Sequence, residues 1–200
     1  MSDGVGDVPM ETLAPGDTSL PRRRRSFGRW AFEWTLIIVV ALLVAGGLRT
    51  YAFETFSIPS ASMEPTLHPG DRIIVSKLGV RFGTIHIGDV LVFHHPPAEN
   101  CGGPAYDDLV KRVIGLPGDK LISVGNTIYV NGKPLHENWP HTEPLGSPLI
   151  ATTVPANTYF MMGDNHSDSC DSRYWGTLDR KYVIGKVVMI ILPLNRFGAL

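Results

Sequence analysis

Hydrophobic positions along this chain fall into two regimes. From Trp30 to Phe53 almost every residue is apolar, with Thr35-Leu36-Ile37-Ile38-Val39-Val40-Ala41-Leu42-Leu43-Val44-Ala45 unbroken by charge. That stretch exceeds the roughly 20 residues a helix needs to cross a bilayer. Beyond Thr55 the pattern changes to short apolar runs divided by Gly, Pro, Asn and Asp, with no long run at helical period. Strands are predicted at Asp71 to Lys77, Asp89 to His94, Leu109 to Ile114, Lys120 to Val124, Thr127 to Val130, Thr158 to Met162 and Lys186 to Leu192. Gly125-Asn126 and Asn131-Gly132 are two-residue turn signals, so Lys120 to Leu135 should zigzag as hairpins. Three segments end alike before a strand: His68-Pro69-Gly70-Asp71, Ile87-Gly88-Asp89 and Leu116-Pro117-Gly118-Asp119. They read as turn chemistry, with glycine taking the unusual backbone angle and aspartate closing an Asx-turn.

Charge placement gives the apolar segment a direction. Arg22-Arg23-Arg24-Arg25 and Arg29 precede it, Glu33 and Arg49 fall near its ends, and Trp30, Trp34 and Tyr51 suit the aromatic belts of a membrane. An uncleaved signal anchor is expected rather than a cleaved signal peptide, because the preceding tail is long and no clean small-x-small site leads into a polar start. The arginines should stay cytoplasmic and send the rest of the chain outside. Residues 1–29 then form a disordered basic tail, 30–53 the anchor and 54–200 an extracytoplasmic domain. With 200 residues, 44% of them hydrophobic, there is room for one such domain and its anchor. The expected fold class is mainly β, a partly closed antiparallel barrel or sandwich on one transmembrane helix.

Two cysteines, Cys101 and Cys170, are compatible with a bridge or with separate thiols outside the membrane. His94-His95, His136 and His141 lack metal-ligand spacing, and no metal, cofactor or nucleic acid is expected.

Three segments carry candidate chemistry. The first is Ile58-Pro59-Ser60-Ala61-Ser62-Met63-Glu64-Pro65-Thr66-Leu67, where two prolines limit the backbone around Ser62. Ser62 reads either as an exposed, fixed hydroxyl or as the cap of a short helix. The second is Asp108-Leu109-Val110-Lys111-Arg112-Val113-Ile114-Gly115. A strand puts Leu109, Lys111 and Val113 on one face, so Lys111 either snorkels from an edge or enters a desolvated pocket that lowers its pKa. A neutral lysine can take a proton from a serine hydroxyl, which permits amide cleavage without histidine. The third, Gly163-Asp164-Asn165-His166-Ser167-Asp168-Ser169-Cys170-Asp171-Ser172-Arg173-Tyr174-Trp175-Gly176, is too rich in hydrogen-bonding groups for an idle loop; Asp171 and Arg173 suit a bidentate pair.

Taken together and in this order, the three segments resemble the Ser-x-Ser-Met-x-Pro-Thr-Leu, Lys-Arg-x-x-Gly-x-Pro-Gly-Asp and Gly-Asp-Asn…Ser-x-Asp-Ser-Arg-Tyr-Trp-Gly boxes of bacterial type I signal peptidases (leader peptidases). The resemblance runs from about residue 30 to the C-terminus; Ala61, His166-Ser167 and Cys170 are its small departures. It implies a membrane-anchored serine endopeptidase that removes signal peptides from exported preproteins, cutting after small residues in an Ala-x-Ala pattern. It implies Ser62 as nucleophile and Lys111 as general base. Ser60 would join the oxyanion hole, Ser169 would orient the lysine, and Asp171 and Arg173 would support that loop. Substrate would lie along Asp108, Leu109 and Val110, over pockets lined by Phe56, Ile58, Met63, Leu67 and Val110. The implied partners are signal peptides and the lipid bilayer, and the implied location is the cell membrane, single-pass, with a cytoplasmic N-terminus.

Overall fold

The computed structural model describes residues 27–102 and 106–200. The expected disordered tail and its Arg22–Arg25 block lie outside the described residues, apart from the final turn at 27–29. The chain divides into two compact units, one up to Leu42 and one from Leu43 to Leu200.

Helix α1 (Phe27–Ala52) supplies the described part of the first unit and continues into the second. Its window from Gly28 to Gly47 is 20 residues with mean hydropathy 1.9 and no part buried by protein. Leu36, Ile37, Ile38, Leu42 and Leu43 are all exposed. Aliphatic side chains on every side of an uncovered helix suit lipid as their surroundings. The helix ends at Ala52 rather than Phe53, because Phe53 already pairs with Ser76 in a sheet.

The second unit is mostly strand: β1 (Phe53–Ser57), β2 (Arg72–Ser76), β3 (Val90–His94), β4 (Asp108–Gly115), β5 (Lys120–Val124), β6 (Thr127–Val130), β7 (Lys133–Pro134), β8 (Thr152–Thr153), β9 (Thr158–Met162), β10 (Leu178–Asp179), β11 (Val183–Leu192) and β12 (Gly198–Ala199). Two short helices, α2 (Lys77–Arg81) and α3 (Ser172–Trp175), accompany them. One antiparallel sheet runs β1-β2-β11-β3-β4-β9-β10, with β12 on β11; a second runs β7-β6-β5-β8. Neither closes into a barrel, since β1 and β10 remain unjoined ends. Register shifts in β11 against β2 and β3 bend the long strand and coil the sheet.

All seven predicted strands are present. β1 escaped prediction because Phe53-Glu54-Thr55-Phe56 reads as the tail of the apolar run, and α2 is a single turn capped by Ser76 Oγ on Gly79 N–H at 3.2 Å. The three Gly-Asp turns share one construction. Gly70, Gly88 and Gly118 take φ of 91°, 95° and 90°. Asp71, Asp89 and Asp119 accept the N–H of His68, His86 and Leu116 at 2.9, 3.0 and 2.8 Å. Each turn launches a strand in fixed register.

Buried side chains gather in three clusters. Ile58, Met63, Leu67, Val75, Val92 and Val187 fill one face of the large sheet, while Leu91, Phe93, Val113, Met161 and Leu178 fill the other. Ile114, Phe160 and Met162 meet Leu121 and Ile128 across the two sheets. Strand β4 touches all three, and that position holds its charged residues among packed hydrocarbon.

Leu67 was expected to line a substrate pocket. It is instead fully buried in the first cluster and absent from the cleft wall, because the turn at His68–Asp71 directs it inward. Leu67→Ala should therefore cost about 2–5 kcal/mol of stability. Urea denaturation in detergent measures that loss; a difference under about 1 kcal/mol would place the side chain at a surface.

Candidate active site

A cleft of about 390 Å³ opens beside β4. Its walls include Phe56, Ile58, Ser60, Ser62 and Met63 from the first segment and Asp108, Leu109, Val110 and Lys111 from the second. Ile58 and Met63 are almost wholly buried, so they form its floor, while Phe56 and Val110 are partly exposed on its flanks. The third segment contributes Cys170 to the lining.

Ser62 sits in a single 3₁₀ turn, Ala61–Met63, preceded by the extended residue Ser60. Ser60 occupies the cap position but makes no side-chain cap. Its hydroxyl lies 3.3 Å from Ser62 Oγ instead. The two hydroxyls thus point to one place, and Ser62 is half-buried rather than exposed on a free turn.

The turn is held from behind by the third segment. Asn165 N–H donates to Ser62 O at 3.1 Å, and Asn165 Nδ2 donates to Ala61 O at 3.2 Å. Gly163 makes this approach possible. A Cβ there would stand 2.3 Å from Ser62 O and 2.4 Å from Ser169 Oγ, closer than any side chain tolerates. The glycine that bounds the third segment is thus a packing requirement between two loops.

Lys111 lies on β4, which β3 pairs from Asp108 to Arg112. On the other side β9 pairs only from Arg112 onward. Among the described residues, no strand covers the second edge of Asp108–Lys111. Lys111 itself is 3% exposed. Burial lowers its amine from the ordinary 10.5 to about 8. The carboxylate of Asp171 opposes that shift, and the guanidinium of Arg173 reinforces it. Among the described residues, no hydrogen bond contributes to the shift.

Asp171 and Arg173 form a bidentate pair, Nε to Oδ1 at 2.8 Å and Nη2 to Oδ2 at 2.7 Å, with both side chains fully buried. Pairing offsets part of the Asp171 charge felt by the amine, while Asp164 and Glu99 act in the same direction as Asp171 and burial outweighs them. The same carboxylate accepts Gly163 N–H at 3.2 Å and caps α3 through Arg173 N–H. Ser169, between these groups, is buried, and its Oγ has no hydrogen-bond partner among the described atoms.

A second buried pair lay unassigned in the sequence. Arg112 grips Asp164 at 2.7 and 2.6 Å, donates to Gly88 O at 2.6 Å and rests 4.9 Å from the Trp139 ring. Asp164 Oδ2 also accepts Thr66 Oγ1 at 2.5 Å. This ties the residues after Ser62 to the strand after Lys111. Adjacent polar residues in the first two motifs hinted at it, but only folding sets Thr66 beside Asp164.

The two cysteines are joined as a disulfide, Cα to Cα 6.1 Å, across 69 residues of sequence. Sequence had left that choice open. Glu99, Cys101 and Cys170 lie together, but the sulfurs are bonded to each other.

The family described as "Signal peptidase, peptidase S26" matches residues 31–192. The chain belongs to that family. It is a serine peptidase of the signal peptidase I type. A signal peptidase I of Leptolyngbya laminosa is 38% identical over 164 residues, covering 82% of this chain and 80% of that one. One from Mycobacterium tuberculosis (strain ATCC 25618 / H37Rv) is 34% identical, covering 98% and 82%. A solved signal peptidase I from Enterococcus faecalis V583 is 29% identical with a TM-score of 0.42, covering 52% of this chain and 96% of that one.

The lowered lysine has a consequence for stability. Above about pH 8 the native amine has given up its proton, while the unfolded chain keeps it to 10.5. The unfolded state binds more protons in that window, so stability rises with pH there. Relative to Lys111→Met, the wild type should gain stability from about pH 8 to about pH 10, read from urea midpoints. A constant difference across that range would mean a solvated, ordinary lysine.

Proposed function

We propose that this protein removes N-terminal signal peptides from exported preproteins, with Ser62 as nucleophile and Lys111 as general base. The observation that carries the reading is a buried amine lowered to about 8 in the same cleft as a paired-serine turn. An amine poised near neutrality accepts a hydroxyl proton and gives it back, which an ordinary lysine does poorly at working pH.

In this mechanism Ser62 Oγ attacks the scissile carbonyl as its proton passes to Lys111 Nζ. The oxyanion is held by the Ser60 hydroxyl and the Ser62 N–H; each such donor is generally worth about 10²–10³ in rate. Collapse breaks the amide bond, and the leaving amine takes the proton from Lys111. Water, deprotonated by the same lysine, then hydrolyses the ester. Ser169 orients the amine through its otherwise orphaned hydroxyl, and the Asp171–Arg173 pair holds Ser169 in place.

The preprotein segment before the cut adds to the open edge of Asp108–Lys111 as an extra strand. Its alternate side chains face the floor of Ile58 and Met63 and the flanks of Phe56 and Val110. Buried floor residues leave room for alanine-sized groups and exclude larger ones by contact, which favours Ala-x-Ala ends. Residues 30–53 anchor the enzyme in the cell membrane as a single pass, supported by α1 and its uncovered apolar surface. Arg22–Arg25 and Arg29 keep the N-terminus cytoplasmic, and residues 54–200 act outside.

Incubating a preprotein with wild type, Ser62→Ala and Lys111→Ala, with mass spectrometry of the new N-terminus, tests this. Each variant should lose about 10³-fold or more. Wild-type kcat/KM should climb through about pH 8 as Lys111 deprotonates. Appreciable turnover by either variant, or an acidic optimum, rules the dyad out.

A further inference from the structure

The cleft has a wall that none of the three motif segments supplies. After β3 the chain runs through His95 and Glu99 to Cys101 and Gly102, and His95, Glu99, Gly102 and Tyr106 face the cleft. Beyond its base, this loop closes most of its hydrogen bonds upon itself. Glu99 N–H donates to Pro96 O at 3.0 Å, Cys101 N–H donates to Glu99 Oε1 at 3.3 Å, and Glu99 pairs with His95. What ties it across the cleft is the bond from Cys101 to Cys170.

The two ends of that bond differ. On the Cys170 side the loop is pinned without it: Asp171 grips Arg173 and Gly163 N–H, and Ser172 Oγ accepts Met161 N–H at 2.9 Å. On the Cys101 side the contacts are weaker: His95 N–H donates to Asp107 O at 2.9 Å at the base of the loop, and Glu99 Oε1 lies 3.1 Å from Cys170 Sγ. The bond is therefore the one covalent tie of the substrate wall, while the hydrogen bonds of Asp171 and Ser172 do not depend on it. Cys101 is exposed and Cys170 half-buried, so a small thiol reaches Cys101 Sγ first.

We propose that Cys101 and Cys170 are positioning residues for the peptidase reaction, their disulfide fixing one wall of the substrate cleft so that its reduction is a switch on substrate affinity. The inference rests on the proposed function and adds its regulation. A dithiol supplies two electrons and two protons. One of its thiolates attacks Cys101 Sγ, Cys170 leaves as thiolate and takes up a proton, and the second dithiol sulfur resolves the mixed disulfide. The products are two cysteine thiols and an oxidised dithiol. Glu99 Oε1 lies 3.1 Å from Cys170 Sγ, an acceptor for the thiol proton in the reduced form. A loosened wall must be ordered again each time substrate binds, and that entropy appears in affinity rather than in the chemical step.

The test uses full-length protein in detergent micelles, oxidised or treated with dithiothreitol, with thiols counted and initial rates measured against a preprotein. Reduction should raise KM about tenfold with kcat within about twofold, and reoxidation should restore KM. Cys101→Ser should show the raised KM and ignore dithiothreitol. Two free thiols with an unchanged KM would overturn the proposal, as would a collapse of kcat or loss of the thermal transition on reduction. Binding of a labelled signal peptide to Ser62→Ala, oxidised against reduced, should weaken by a similar factor. That readout needs no turnover, so failure of the dyad and failure of the switch are told apart.

Discussion

An ammonium group taken from water into hydrocarbon is so costly that a protein either pairs it or lets it discharge. At Lys111 this fold moves toward the second, with burial bringing the amine down to about 8. The amine is walled by β4 and its neighbours, and Asp171, the carboxylate that acts on it most, is already committed to Arg173 through two hydrogen bonds. Were Asp171 free, its charge would raise the lysine further toward the ordinary value. The neutralised acid is therefore as much a part of the cleft's electrostatics as the lysine.

Keeping that arrangement requires two loops in contact at backbone distance. Gly163 and Asn165 press the third segment against the carbonyls of Ala61 and Ser62. The Arg112–Asp164–Thr66 network adds a second tie from the strand of the lysine to the residues following the serine. Both ties use groups buried away from water, where hydrogen bonds are strong and an unpaired partner is penalised. The site is thus fixed at its back by polar contacts and at its floor by apolar packing. Its remaining wall, from His95 to Gly102, is held covalently.

Much of the fold was legible in the pattern of the chain. Asp89 to His94 reads as a strand, and Val90–His94 lies between β11 and β4 with Val90 to Phe93 buried. Asn131-Gly132 reads as a two-residue hairpin turn, and both residues take positive φ, 53° and 79°. Short pairings such as β8 and β10 were not legible, because two residues carry no period. Leu67 shows a different failure. Its motif neighbours line the cleft, and only the turn that follows decides that this side chain points into the core.

Periodicity, turn residues and the three motif segments were enough to determine the longer strands, the apolar helix and the segments in which candidate chemistry lies, since those depend on local backbone preference and on residue type. Folding alone decided which of those groups meet. The lowered lysine, the close contact at Gly163, the open edge of β4 and the union of Cys101 with Cys170 join residues distant in the chain. Their energies come from burial and proximity, and a linear sequence holds neither until its segments are packed.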